Sequence, residues 1–255
     1  MNELLVRTVT GIILAAAAVL SVMYFPVWLF KITIALITGI GTWEIFHLLS
    51  KRFEGINPLF FGISGFFLSV TFLFLQPVLT VFLIFLIGFY TAHRVYSLDT
   101  LTASVFGLSY GVFFISSLAL LHEQNKYLVF VLFATVWAGD TMAYFTGKAI
   151  GKHKLAPRLS PKKTWEGAFG SVIGSVLAGG LTAYFFNIPE AVIPVLASSV
   201  LMQIGDLFES FLKRQVGEKD SSHLIPGHGG ILDRIDALIF ASAVFVIFFQ
   251  IKNTL

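Results

Sequence analysis

"GIILAAAAVLSVMYF", Gly11 to Phe25, is fifteen residues without a charge. A bilayer's hydrocarbon core needs about 20 consecutive apolar residues to be crossed by one helix. Working outward from Gly11, the same character returns along the whole chain. Spans are placed near 8–25, 30–49, 58–75, 77–93, 101–121, 127–147, 166–186, 190–210 and 233–251. The breaks fall at Pro26, "KRFEGINP", Gln76–Pro77, "HRVYSLDT", "HEQNK", the basic stretch after Gly147, "NIPEA", and a charged loop ending at Asp236. The thinnest is Gln76–Pro77.

Composition agrees. Hydrophobic residues make up 56% of the 255, charged residues 12%, and Phe occurs 28 times. That charged share is about half the value usual in soluble domains. A water-soluble fold could not hide so much apolar surface. The chain therefore reads as an all-α, polytopic integral membrane protein with about nine transmembrane helices. The first apolar stretch could pass for a signal peptide but has no convincing small-residue cleavage site, so it is read as an uncleaved span. Cysteine is absent, which excludes a disulfide framework, a zinc-thiolate site and a cysteine nucleophile.

Lys and Arg set the orientation. With the N-terminus cytoplasmic and the C-terminus outside, 14 of the 17 basic residues lie on the cytoplasmic side; only Lys31, Lys126 and Lys252 do not. The long charged loops then share the inner face. Residues 1–126 read as scaffold helices available for oligomer contacts. Residues 127–255 read as helices whose cytoplasmic loops carry the chemistry.

Three constellations could carry it. On the eighth span, "LMQIGDLFESFLKR", Gln203, Asp206, Ser210 and Lys213 are spaced 3, 4 and 3 and share one helix face. A carboxylate such as Asp206 inside a span is costly unless paired, metal-bound or facing water. Glu209 lies off that line and is expected to matter little. In "KDSSHLIPGHGGILDRID", Lys219 to Asp236, Asp233 and Asp236 are three apart at a helix start, with Arg234 between. Gly227, Gly229 and Gly230 allow close backbone approach, a pattern that suits phosphate. One acid there is an ordinary helix-dipole partner; two acids plus "PGHGG" are more than that.

The third is "GDTMAYFTGKAIGKHKLAPRLSPKKTWEG", residues 139–167. Asp140 and Tyr144 are i, i+4, followed by Lys148, Lys152, Lys154, Arg158, Lys162 and Lys163. Ser160–Pro161 reads as an N-cap and N1 pair opening a short helical turn. Most of these cations read as headgroup contacts; Lys162 and Lys163, beside a helix start, suit phosphate. Glu44 and His47, late in the second span, are expected to pair with Lys51 or Arg52. A few carboxylates with phosphates is the usual magnesium arrangement. The residues thus point to a polyphosphate and a metal at the inner leaflet. Walker, dinucleotide-fold and H-E-x-x-H motifs are absent, which argues against an ATP-hydrolysing pump and a metalloprotease.

The run "SFLKRQVGEKDSSHLIPGHGGILDRID", Ser210 to Asp236, resembles the signature of phosphatidate cytidylyltransferases, also called CDP-diacylglycerol synthases: S-x-x-K-R, four residues, K-D, then P-x-H-G-G-x-x-D-R-x-D. "SPKKTWEG" and "DTMAYF" resemble further segments of bacterial members, with Met142 bulkier than expected. The resemblance implies the reaction of CTP with phosphatidate to give CDP-diacylglycerol and pyrophosphate, dependent on magnesium with room for a second cation. Cytidine and diacylglycerol come from the resemblance, not from spacing. It implies Asp206 and Asp233 as metal ligands, with Asp236, Asp220 and Asp140 supporting. Lys213, Arg214, Lys219, Arg234 and His228 would hold phosphates, with Gly229 and Gly230 in the cradle. Ser210, Tyr144 and Ser160 are further substrate contacts, and Lys162 and Lys163 would take the phosphatidate headgroup. The implied setting is the cell inner membrane among its lipids, as a homodimer, with the active site cytoplasmic and no nucleic-acid partner. A CTP-dependent polyprenol or dolichol kinase is the alternative, disfavoured by the full signature. An ion-coupled transporter would place its carboxylates near the midplane between repeats, and no repeat is visible. The D-G-x-x-A-R motif of CDP-alcohol phosphotransferases is absent.

Overall fold

The computed structural model describes residues 3–254, with side chains from Leu5 onward. The chain ends assigned to the inside and the outside, residues 1, 2 and 255, lie outside the described residues. The helices are α1 (Glu3–Tyr24), α2 (Val27–Leu49), α3 (Pro58–Phe74), α4 (Pro77–Val95), α5 (Leu98–Ser109), α6 (Ile115–Gln124), α7 (Lys126–Ile150), α8 (Trp165–Phe185), α9 (Val192–Gln215) and α10 (Leu232–Thr254). A π-helical turn, Tyr110–Phe114, joins α5 and α6 into one continuous rod. A short hairpin, β1 (Lys154–Ala156) and β2 (Ser160–Thr164), precedes α8.

Each expected span has its rod. Among the described residues eight rods are long and apolar enough to cross a membrane, and α3, with 17 residues, is shorter. At 1.5 Å per residue its length is about 25 Å. The breaks have chemical causes. Asn57 accepts hydrogen bonds from the N–H groups of Leu59 and Phe60, with Pro58 at N1. Gln76 is extended and Pro77 opens α4. Ser97 accepts from Thr100 N, and Asn125 from Tyr127 N. Side-chain caps and prolines at N1 make these starts legible in sequence.

The chain forms two compact units. The first comprises residues up to 120 together with 215–234; the second comprises 121–214 and the remainder of α10. In the first unit α2 packs on α3, where the Phe46 and Phe61 rings stack 3.7 Å apart. The start of α1, the turn after α2 and the segment 215–231 meet at one end: Arg7 Nε donates to Gly227 O, Lys51 pairs with Glu218, and Arg52 donates to Gln215 Oε1. In the second unit α8 lies tightly on α7. A Cβ at Gly174 would stand 2.9 Å from Ala138 O and against Met142, so a small residue is required there. Met142, bulky for its position, is seated on that glycine. α9 and α10 are joined by the Phe208–Phe240 contact and by Ser198 Oγ, which donates to Ala241 O.

Candidate active site

The signature loop is organised by two carboxylates of the first unit. Asp233 Oδ2 accepts from Ser221 N at 2.9 Å, Ser221 Oγ at 2.9 Å and Gly230 N at 2.8 Å. Glu44, fully buried in α2, accepts from Ser222 Oγ at 2.5 Å, Ile231 N at 3.0 Å and Leu232 N at 2.7 Å, and the Ser221 hydroxyl, whose one hydrogen goes to Asp233, lies 3.3 Å from it. Within the loop, Ile225 N donates to Gly229 O and His228 N to Ile225 O, closing a tight turn. Gly227 and Gly229 sit at positive φ, 76° and 79°, where glycine carries no steric cost. A Cβ on Gly230 would collide with Ser221 Oγ and Glu44 Oε1.

Two expectations change here. The backbone of Gly227, Gly229 and Gly230 is the expected phosphate cradle; of these, Gly230 N is taken by Asp233, and Glu44 holds the next two N–H groups, of Ile231 and Leu232. Glu44 was to pair with Lys51 or Arg52; Lys51 pairs instead with Glu218, and Glu44 caps α10. The Lys51 ammonium, through its hydrogen bond and its charge, holds the Glu218 carboxyl below its usual range. His228 Nδ1 lies 2.8 Å from Thr10 Oγ1. Lys219 and Arg234 are exposed, Asp220 half-buried.

In the second unit a cavity of about 450 Å³ is lined by Asp140, Tyr144 and Lys148 of α7, by Lys162 and Lys163 of β2, and by Gln203 and Asp206 of α9, among others. Lys163 Nζ forms an ion pair with Asp206 Oδ2. Gln203 Nε2 donates to Ala168 O and Ser199 O, which tethers its carboxamide. Ser160 was expected to open a helical turn. It is instead the first residue of β2, paired with Ala156. The helix start lies at Thr164, whose hydroxyl accepts from Gly167 N at 3.1 Å. Pro161 fixes a φ that serves an extended strand as well as a helical N1, and the hairpin is what turns the lysines toward α9.

On α9, Lys213 Nζ lies 3.3 Å from Glu209 Oε1, and Glu209 is fully buried. Lys213 therefore serves a buried ion pair, and Glu209, expected to be peripheral, is central to it. Asp236 is half-buried, accepts from Ala237 N, and lies within electrostatic reach of Asp206, Glu209 and Lys213. Arg214 donates to Leu159 O of the hairpin turn. Ser210 is half-buried on α9. Among the described residues no three His, Asp or Glu side chains form a ready-made metal cage. Magnesium seldom uses one: it takes one or two carboxylates and completes its shell with water and substrate phosphates. Asp206 at the cavity wall and Asp236 beside it are hard oxygen donors that fit this requirement.

Fold and site together define a polytopic membrane protein with lysines and aspartates around a cavity. The chain belongs to the Cytidylyltransferase family, whose model matches residues 5–252. It is similar to the phosphatidate cytidylyltransferase of Haemophilus influenzae, 30% identical over 280 residues that cover 95% of this chain and 97% of that one. It is 33% identical over 242 residues to that of Aquifex aeolicus, covering 95% and 90%. It is 48% identical over 148 residues to that of Brucella abortus, covering 56% of this chain and 55% of that one. At that higher identity the match spans about half the length of the Brucella protein.

Proposed function

We propose that the chain is a CTP:phosphatidate cytidylyltransferase of the inner membrane, acting from the cytoplasmic face. The observation that carries this reading is the cavity whose wall joins Lys163 to Asp206, with Lys148, Lys162 and Asp140 around it. The nucleophile is the phosphate of phosphatidate. Its second pKa is about 6, so it is largely dianionic at neutral pH and needs no strong base. Its oxygen bonds to the α-phosphorus of CTP, the bond from that phosphorus to the bridging oxygen breaks, and pyrophosphate leaves with the electron pair. The difficulty is bringing two anions together, and lysines at the cavity offset their charge.

Magnesium, when bound, neutralises and polarises phosphate oxygens. Asp206 and Asp236 are its proposed holders, with Asp233, Asp220 and Asp140 as further candidates from the sequence pattern and a second cation allowed. Lys162 and Lys163 take the lipid phosphate; Arg214, Lys219, Arg234 and His228 are assigned to phosphates by the signature. Lys213 acts through Glu209. Helices before residue 127 serve as scaffold, with α2 holding the signature loop through Glu44. The homodimer implied by the resemblance belongs to the same reading and is checked by mass in lipid nanodiscs.

The test is incubation of purified protein with magnesium and labelled CTP or dCTP. A labelled CDP-lipid is expected with phosphatidate, and no product with dolichol or undecaprenol. Phosphorylated polyprenol would move the assignment to a kinase.

A further inference from the structure

Glu44 lies in the last third of the apolar helix α2, far from the signature loop in sequence, and is fully buried. A carboxylate in such a place is stable only when its oxygens are well satisfied. Both are. Oε1 accepts from the Ser222 hydroxyl and Ile231 N, and Oε2 accepts from Leu232 N and lies 3.3 Å from the Ser221 hydroxyl. Each oxygen thus meets one backbone N–H and one hydroxyl. Ser221 then hands the arrangement on. Its N–H and its hydroxyl, each 2.9 Å away, converge on Asp233 Oδ2, which also takes Gly230 N.

We infer that Glu44 is a positioning residue: through Ser221, Ser222 and the first N–H groups of α10 it fixes the signature loop and thereby the orientation of the Asp233 carboxylate. The inference rests on the cytidylyltransferase reading for its effect on turnover, and on geometry alone for its effect on the loop. Glutamine cannot replace the glutamate. Whichever way its amide turns, the NH2 faces a backbone N–H that cannot reverse its polarity. Ser222→Ala is the gentler probe, because it removes one hydroxyl donor and leaves both backbone contacts.

The experiment compares full-length wild type, Glu44→Gln and Ser222→Ala in nanodiscs by three readouts: amide hydrogen exchange over residues 219–234, calorimetric binding of CTP without lipid acceptor, and kcat with KM per folded molecule. Glu44→Gln should speed loop exchange at least tenfold while the interiors of α2 and α3 keep their protection. It should also weaken CTP binding and lower kcat by about 10- to 100-fold, the range found when a supporting shell around functional ligands is disturbed. Ser222→Ala should shift all three the same way by less, with an unchanged melting temperature. Unchanged loop exchange in Glu44→Gln overturns the inference. So does faster exchange with CTP binding and kcat per folded molecule at wild-type values, which is what a purely structural residue would give. A wild type that forms no CDP-lipid overturns the functional reading instead, and loop exchange still decides whether Glu44 holds the loop.

Discussion

Lys163, on the second strand of the hairpin, forms an ion pair with Asp206 of α9 at the wall of the cavity. Both side chains are about one-third exposed, at 27% and 34%, so each can exchange its partner for a ligand. In the proposed reaction the pair would keep together, before substrate arrives, a cation for phosphate and an anion for metal.

Asp206→Asn should therefore abolish turnover while the protein still inserts and folds. Loss of a metal ligand removes several kcal/mol of transition-state stabilisation, and about 1.36 kcal/mol is tenfold in rate. A fall of at least about a thousandfold is expected in magnesium-dependent activity at saturating CTP. Near-normal activity would show that α9 presents a different metal ligand.

Glu209→Gln leaves Lys213 charged and buried. Removing one partner of a buried pair is destabilising, so a drop in melting temperature is expected in detergent or nanodiscs. Lys152→Ala, at an exposed position in the basic stretch, should leave both stability and activity close to wild type. A Glu209→Gln protein that melts like wild type would mean the Glu209–Lys213 contact contributes little.

The spans were legible because their signals are local. Pro26, Asn57–Pro58, Pro77, Ser97 and Asn125 interrupt the apolar pattern where the rods end. The facing residues of the site were less so. Asp206, Lys163 and the two glycines at positive φ could be named from spacing, but the hairpin could not, since Ser160–Pro161 reads equally well as a helix start or as extended backbone. Glu44 was missed for a physical reason. A buried acid needs donors, and the nearest in sequence are Lys51 and Arg52; its real donors come from Ser222, Ile231 and Leu232. The available signal was the cost of the acid itself, lodged in an apolar helix.

The Lys51–Glu218 pair has a defined pH window. A carboxyl held below its usual range contributes stability above its unfolded pKa of about 4.3 and loses it as pH falls through the folded value. Melting temperature should therefore differ between wild type and Lys51→Ala by the same amount from pH 5 to 7, and the difference should shrink below about pH 4. A difference that instead grows on acidification would assign the pair the wrong sign.

Orientation is tested by fusion reporters. The uneven distribution of Lys and Arg and the odd number of spans predict cytoplasmic signals after Lys154 and after Glu218, and an external signal after Leu255. A cytoplasmic C-terminus would point to the short α3, or to the Gln76–Pro77 break beside it, as a segment that does not cross.

Transfer of a cytidylyl group, rather than of a terminal phosphate, is read from the position of the label in CTP. Purified protein is given phosphatidate, magnesium and CTP labelled with phosphorus-32 at either the α or the γ position. The α-label is expected to enter the lipid as CDP-diacylglycerol and the γ-label to leave entirely as pyrophosphate. Label from the γ position in the lipid, or no α-label there, would contradict cytidylyl transfer.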